Sequence, residues 1–408
     1  MNYNEAYELL KKKSQLHVLN FYDSLSTEEQ NRLLEQIAHI DWHVIESLAH
    51  KNEPVNKGVI APLDAIEVDE IEEKHATFEA IGLEAIRSQK VGAVLLAGGQ
   101  GTRLGLDKPK GMLNVGITKE LYLFEMLIRN LQKNTDAAGA YVPLYIMTSD
   151  KNHEDTVTFF KEHHNFGYPE DYIFFFVQEM VPSTDFNGKL LMESPSSLSL
   201  SPNGNGGWYT SMQNCGILED VRKRGLEWLN VFSVDNVLQQ IADPVFLGAT
   251  LDSGCVSGAK VVRKAAPDER VGVLCLEDGR PSIVEYYEMT EEMAHSRKEN
   301  GDLTYNFGVT LNYLFQVSVL ETMLGANMPL HIVEKKIPYI DDNGSVINPD
   351  KPNGYKFETL VLDMVHMSKD CIPCEIVREK EFAPIKNATG VDSLESARAL
   401  MKENGIEL

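Results

Sequence analysis

Between Val91 and Gly105 the chain runs Val-Gly-Ala-Val-Leu-Leu-Ala-Gly-Gly-Gln-Gly-Thr-Arg-Leu-Gly, and no other stretch limits the possible folds so strongly. The apolar run Val91 to Ala97 is short and does not alternate, which predicts a parallel strand buried on both faces. It breaks into three glycines within four residues, Gly98, Gly99 and Gly101. Glycine lets the backbone turn sharply and approach a ligand closely, so that successive N–H groups can point at phosphate oxygens. Arg103 and Lys110, the latter within Lys108-Pro109-Lys110-Gly111, add two cations beside that loop. A strand, a glycine loop and fixed positive charge together predict a site for a nucleoside triphosphate.

Two familiar phosphate-binding patterns fail on spacing. A dinucleotide fingerprint needs G-x-G-x-x-G, but Thr-Arg-Leu separates Gly101 from Gly105, one residue too many. A P-loop needs Gly-Lys-Ser/Thr, and neither Lys108 nor Lys110 follows a glycine or precedes a hydroxyl residue. The pattern that remains is L-A-G-G-x-G-T-R-L-G followed by P-K. It resembles the signature of the UDP-sugar pyrophosphorylase family, and most closely that of the eukaryotic UDP-N-acetylhexosamine pyrophosphorylases. The resemblance implies contacts to the nucleotide from Leu96, Ala97, Gly98, Gly99, Gly101 and Thr102.

The rest of the chain predicts organisation more than chemistry. Residues 1 to about 88 read as helical, with Leu9, Leu10, Leu16 and Leu19 at helical spacing and Ser26-Thr-Glu-Glu29 as a capping box. Pro54 and Pro62-Leu-Asp mark a looped passage between helices. From Val91 strands alternate with helices: Leu144–Thr148, Tyr172–Val177 and Trp228–Val234 are strands, and Glu154–His163 is a helix. The expected fold is α/β, a doubly wound, mostly parallel sheet with an N-terminal helical region. The resemblance implies a Rossmann-like, GT-A-like nucleotidyltransferase domain. The expected boundaries are 1–88 helical, 89–386 catalytic and 387–408 a short C-terminal tail.

A net charge of −23 on 408 residues disfavours nucleic acid as a partner, and no local basic patch offsets it. No apolar stretch approaches the roughly 18 residues of a membrane span. The N-terminus shows no charged leader followed by an apolar core, so a cytoplasmic protein is expected. Five cysteines, an odd number, fit a reducing compartment. Cys371-Ile-Pro-Cys374 lacks the second pair that a zinc site needs, and reads as a structural loop entering a strand.

The reaction that the resemblance implies is attack by a sugar 1-phosphate on the α-phosphorus of UTP, giving a UDP-sugar and pyrophosphate. The nucleophile is already an anion, so the protein must supply in-line positioning and positive charge. Arg103 suits the β- and γ-phosphates because its guanidinium fork binds oxyanions bidentately. Lys110, a compact point charge, suits the α-phosphate, where charge rises in the transition state. Asp235 ends the apolar strand Val231-Phe-Ser-Val and offers Mg²⁺ a hard oxygen ligand; the resemblance matches it to the aspartate of a V-D-N motif.

Other roles follow from the resemblance alone. Lys386, in Pro384-Ile-Lys-Asn387, would reach the phosphates, and Gln178 would read uracil with an amide that both donates and accepts. Asn205 and Gly206, in Ser201-Pro-Asn-Gly-Asn-Gly-Gly207, would meet the uridine. Gly272, Glu285, Val309 and Lys356 fall on positions that face the sugar.

The chain also departs from the family pattern. Glu179 replaces a glycine, Asn203 an aspartate, Trp208 an aliphatic residue, and Val309 the second asparagine of F-N-A-G-N. Leu360 and Leu362 stand where aromatic residues border the N-acetyl group. N-acetylglucosamine is the expected sugar; a UDP-glucose or broad UDP-sugar pyrophosphorylase is the alternative. A catalytically silent sugar-nucleotide sensor is a further reading, and a Rossmann oxidoreductase is already weakened by the loop spacing.

Overall fold

Among the described residues, two large hydrophobic clusters each gather segments far apart in sequence. The computed structural model describes residues 1–51, 58–326 and 328–408. Contacts divide it into one unit of Met1–Asn56, Glu179–Gly207 and Met328–Val361, and a second of Lys57–Gln178, Trp208–Asn327 and Leu362–Leu408. The division therefore falls inside the stretch expected as a single catalytic domain. Pro54 lies outside the described residues.

The first unit is built on helices α1 (Tyr3–Lys12) and α2 (Thr27–Ala38). Ser26 and Glu29 form the reciprocal capping box that their spacing predicts. Leu10, Leu33 and Ile37 on these helices are buried in one cluster with Met192, Leu198 and Phe357. A three-stranded sheet, His331–Lys335, Gly354–Glu358 and Thr184–Asp185, adds Tyr355, Phe357 and Ile332 to this cluster.

The second unit holds a ten-stranded sheet. Its strands are β1 (Ile60–Pro62), β2 (Val91–Leu96), β3 (Leu144–Thr148), β4 (Ile173–Val177), β5 (Trp228–Ser233), β6 (Ser257–Arg263), β7 (Val273–Glu277), β8 (Arg280–Val284), β9 (Phe307–Gln316) and β10 (Ile372–Glu375). The main order is β1-β7-β9-β5-β2-β3-β4, with β8 on β7, β6 on β9 and β10 on β6. From β5 to β4 every pairing is parallel. Beyond β5 the sheet is mixed, because β9 runs antiparallel to β5, β6 and β7. Every residue of β2 is buried, as a central parallel strand requires.

Three details differ from the sequence expectation. Ile60–Pro62, read as part of a helical and looped region, is an edge strand on β7. Three residues are too few to show a period, and proline's missing N–H is harmless at a sheet edge. Helix α3 (Val68–Arg87) belongs to the second unit because it crosses α5 (Pro244–Ser253) at backbone contact. A Cβ on Gly82 would lie 1.9 Å from Pro244 O, and one on Gly248 would lie 1.8 Å from Phe78 O, so glycine is obligatory at both.

Residues 387–408, expected as a tail, form helix α6 (Leu394–Glu403), whose Ala397 and Met401 are buried in the second core. Helix α4 (Leu123–Ala138) packs its apolar face into the same core. Among the described residues no helix is long and apolar enough to cross a membrane.

Candidate active site

Parallel register brings the expected groups to one sheet edge. Leu96 at the end of β2 pairs with Ser233 at the end of β5, so the glycine loop and Asp235 leave the sheet side by side. Val177 ends β4 at the same edge, next to Gln178. In parallel sheets the carboxyl ends of strands are where ligands bind.

The loop is held by backbone contacts and one buried side chain. Ala97 N donates to Met147 O at 2.8 Å, Gly101 N to Lys108 O at 3.0 Å and Lys110 N to Gly99 O at 3.3 Å. Asn152, fully buried, donates from Nδ2 to Ala97 O at 3.0 Å and to Gly99 O at 3.5 Å. No sequence signal singles out Asn152, because its role exists only once β2 and β3 are neighbours. A Cβ on Gly99 would meet nothing within 4 Å, so that glycine faces open space. At Gly98 a Cβ would lie 2.7 Å from Gln178 Oε1, which places the buried Gln178 amide directly against the loop.

Four charges converge beside it. Lys110 Nζ lies 3.8 Å from Asp235 Oδ2, with the two side chains 15% and 21% exposed. Burial holds the Lys110 ammonium below the usual lysine range; Asp235 opposes that shift, while Lys386 and Arg103 reinforce it. The Ser233 hydroxyl donates to Asp235 Oδ1 and fixes the carboxylate, a role the sequence did not announce.

Lys386 arrives on a segment laid against the one that carries Asp235. Ile385 N donates to Asp235 O at 2.9 Å, and Lys386 N donates to Asp392 O at 2.6 Å. Asp392 has a left-handed backbone, φ 54°. Burial raises the pKa of its carboxyl, with Lys386 opposing and Asp235 adding to the shift, so Asp392 joins the charge cluster unannounced.

Three of the four expected sugar positions, Gly272, Glu285 and Val309, also meet within the second unit. Val309 N donates to Gly272 O at 2.9 Å, and a Cβ on Gly272 would lie 3.2 Å from Glu285 Oε1.

Lys356, Asn205 and Gly206 lie in the first unit. Lys356 sits on the strand Gly354–Glu358, opposite Val333. Asn205 Oδ1 accepts from Val361 N at 3.0 Å, and Gly206 N donates to Thr359 O at 2.9 Å. A Cβ on Gly206 would lie 2.6 Å from Leu360 N, so glycine here serves close backbone packing. The replaced positions Glu179 and Asn203 meet one another: Asn203 Nδ2 donates to Glu179 Oε2 at 3.1 Å.

Among the described residues no cluster of three or more His, Cys, Asp or Glu side chains could cage a metal. The five cysteines are free thiols, with Cys371 and Cys374 buried and Cys374 within β10. What the second unit offers is cations, open backbone and one fixed carboxylate around a cradle that suits a polyphosphate. No Ser, Cys or His nucleophile is needed where an incoming phosphate is itself the nucleophile, and that is the chemistry of a nucleotidyltransferase. The chain belongs to the UTP–glucose-1-phosphate uridylyltransferase family, whose pattern matches residues 24–407.

UDP-N-acetylglucosamine diphosphorylase 2 of Arabidopsis thaliana is 37% identical, over 97% of this chain and 82% of that one. UDP-N-acetylhexosamine pyrophosphorylase-like protein 1 of Mus musculus is 36% identical, over 94% and 80%. Among solved structures, UDP-N-acetylglucosamine pyrophosphorylase of Trypanosoma brucei, in complex with an inhibitor, is similar with a TM-score of 0.85 and 26% identity, covering 98% of this chain and 84% of that one. The oxidoreductase reading is thereby displaced.

Proposed function

We propose that the protein is a cytoplasmic, Mg²⁺-dependent uridylyltransferase forming UDP-N-acetylglucosamine and pyrophosphate from UTP and N-acetylglucosamine 1-phosphate. The observation that carries this reading is the placement of Lys110 and Asp235 3.8 Å apart, beside the open backbone of Gly99. The relatives' names supply the sugar.

In this reading a sugar-phosphate oxygen bonds to the α-phosphorus of UTP as the bond to the β-phosphate oxygen breaks, and pyrophosphate leaves in line. The backbone of Leu96–Thr102 holds the phosphates, Arg103 and Lys386 neutralise them, and Lys110 meets the charge that grows on the α-phosphate. Gln178 orients the base, with Asn205 and Gly206 assigned to the uridine. Gly272, Glu285, Val309 and Lys356 are assigned to the sugar phosphate, Glu285 as an acceptor for sugar hydroxyls.

Asp235 fits the role of Mg²⁺ ligand, since this ion takes one or two carboxylates and completes its shell with phosphates and water. When bound, it would supply positive charge between the reacting phosphates. The five free cysteines support the compartment.

The test is pyrophosphate release from UTP with a panel of sugar 1-phosphates. N-acetylglucosamine 1-phosphate should give the highest kcat/KM. A higher value with glucose 1-phosphate would move the protein to the UDP-glucose enzymes, and no turnover with any sugar would leave a sensor.

Val309 favours a broader sugar range as a second reading, because an aliphatic side chain beside Gly272 replaces the asparagine of the family pattern. Val309→Asn should add one hydrogen bond to the sugar, worth about 0.5–1.5 kcal/mol, and so lower KM for one sugar by a few-fold to about tenfold. Unchanged selectivity in a KM comparison across the panel would remove Val309 from the sugar site.

A further inference from the structure

Lys260 carries a buried charge on β6, the strand between β9 and β10. It lies between Ala259, paired with Tyr313, and Val261, paired with Val309, where two extra residues of β9 interrupt the ladder as a bulge. Its side chain is 1% exposed, and its ammonium sits 2.6 Å from Asp243 Oδ2 and 2.5 Å from Glu381 Oε2. Burial alone would depress its pKa, but the two carboxylates outweigh that effect and hold it above the usual lysine range. None of the three side chains belongs to the nucleotide or sugar motifs.

The two carboxylates lead to the two halves of the charge cluster. Asp243 accepts from Val245 N at 3.0 Å and caps α5, shortly after the Asp235 segment. Glu381 precedes Lys386, and its segment is stitched to the Asp235 segment throughout. Asn236 Nδ2 donates to Glu381 O at 2.7 Å, and Ala383 N donates to Asn236 Oδ1 at 2.9 Å. Val237 N donates to Ala383 O at 3.4 Å, and Ile385 N to Asp235 O at 2.9 Å. Gln240 N adds a contact to Glu381 Oε2 at 3.4 Å.

We propose that Lys260 is a positioning residue: by engaging Asp243 and Glu381 together, it holds the segment carrying Lys386 in register with the segment carrying Asp235. A buried ammonium recovers its lost hydration only when its partners are in place, so a slipped register is penalised heavily. Such a trio adds little net stability compared with apolar packing; its use is to exclude alternative alignments. The inference rests on the roles proposed above for Lys386 and Asp235.

The test is a double-mutant cycle of Lys260→Met with Lys386→Ala, reading kcat, KM for UTP and melting temperature. Lys260→Met should lower kcat by about tenfold or more, while KM for UTP rises by less than kcat falls, because the glycine loop, Arg103 and Gln178 still hold the nucleotide when Lys386 is displaced. In the Lys386→Ala background the same change should cost less than about twofold, since the group it positions is gone.

Equal fold-losses in both backgrounds, or full kcat in folded Lys260→Met, would overturn the proposal. Full activity in Lys386→Ala alone would instead overturn the role of Lys386, and the positioning claim with it. If Lys260→Met does not fold, Glu381→Gln enters the same cycle. That side chain is 18% exposed and keeps an oxygen acceptor, so its expected loss is smaller, about three- to tenfold, with the same overturning outcomes.

Discussion

Lys110→Ala is expected to lower turnover by about a hundredfold or more, the scale on which removing a preorganised charge acts in a transition state. The structure makes this lysine more than a surface cation. Its side chain is 15% exposed, and its nearest carboxylate oxygen is 3.8 Å away, too far for a tight ion pair to absorb its charge. UTP affinity should change far less, since Arg103, Lys386 and the loop backbone remain.

Loss of fold is not the expected cause. Burial depresses the folded-state pKa of Lys110, so its charge opposes folding at neutral pH and removing it should leave the melting temperature level or slightly higher. Steady-state kinetics beside UTP titration would decide. A large loss of UTP affinity with normal turnover would place Lys110 on the ground state instead.

Asp235→Asn should lower activity at ordinary Mg²⁺ concentrations by about a hundredfold or more, with the fold intact, because Mg²⁺ demands an anionic oxygen and an amide offers none. The change is nearly isosteric, and the amide oxygen can still accept from Ser233. Mn²⁺ titration followed by electron paramagnetic resonance gives a readout apart from turnover. The wild type with UTP should bind the ion tightly and the variant weakly. Full activity with undiminished metal binding would remove Asp235 from the site.

The parts of this molecule that are legible in its sequence are the local ones. An uninterrupted apolar run, three close glycines and a capping box each express one segment's own physics. Accordingly β2, β3 and the start of α2 fall where their patterns put them. Antiparallel insertion of β9 into the sheet leaves no such trace, because pairing direction depends on connections rather than composition.

Site residues divide in the same way. Arg103 and Lys110 could be proposed from the loop itself. Asn152, Ser233 and Asp392 act through contacts that exist only after strands and segments meet. Glu179 and Asn203 look like two separate losses when compared with the family pattern one at a time. Their mutual hydrogen bond makes them a single paired change.

Both units are discontinuous, and that has a consequence for synthesis. The core joining α1 and α2 to Phe357 cannot close until the chain has been made past Val361. At about 5–20 residues per second, the apolar faces of those first helices wait on the order of tens of seconds after leaving the ribosome. Met192 and Leu198 reach Leu10, Leu33 and Ile37 earlier, and Phe357 is the last of these partners to be made. A chaperone that binds short apolar helices has its longest opportunity at the N-terminus, the part of the chain farthest in sequence from the segment that finally covers it.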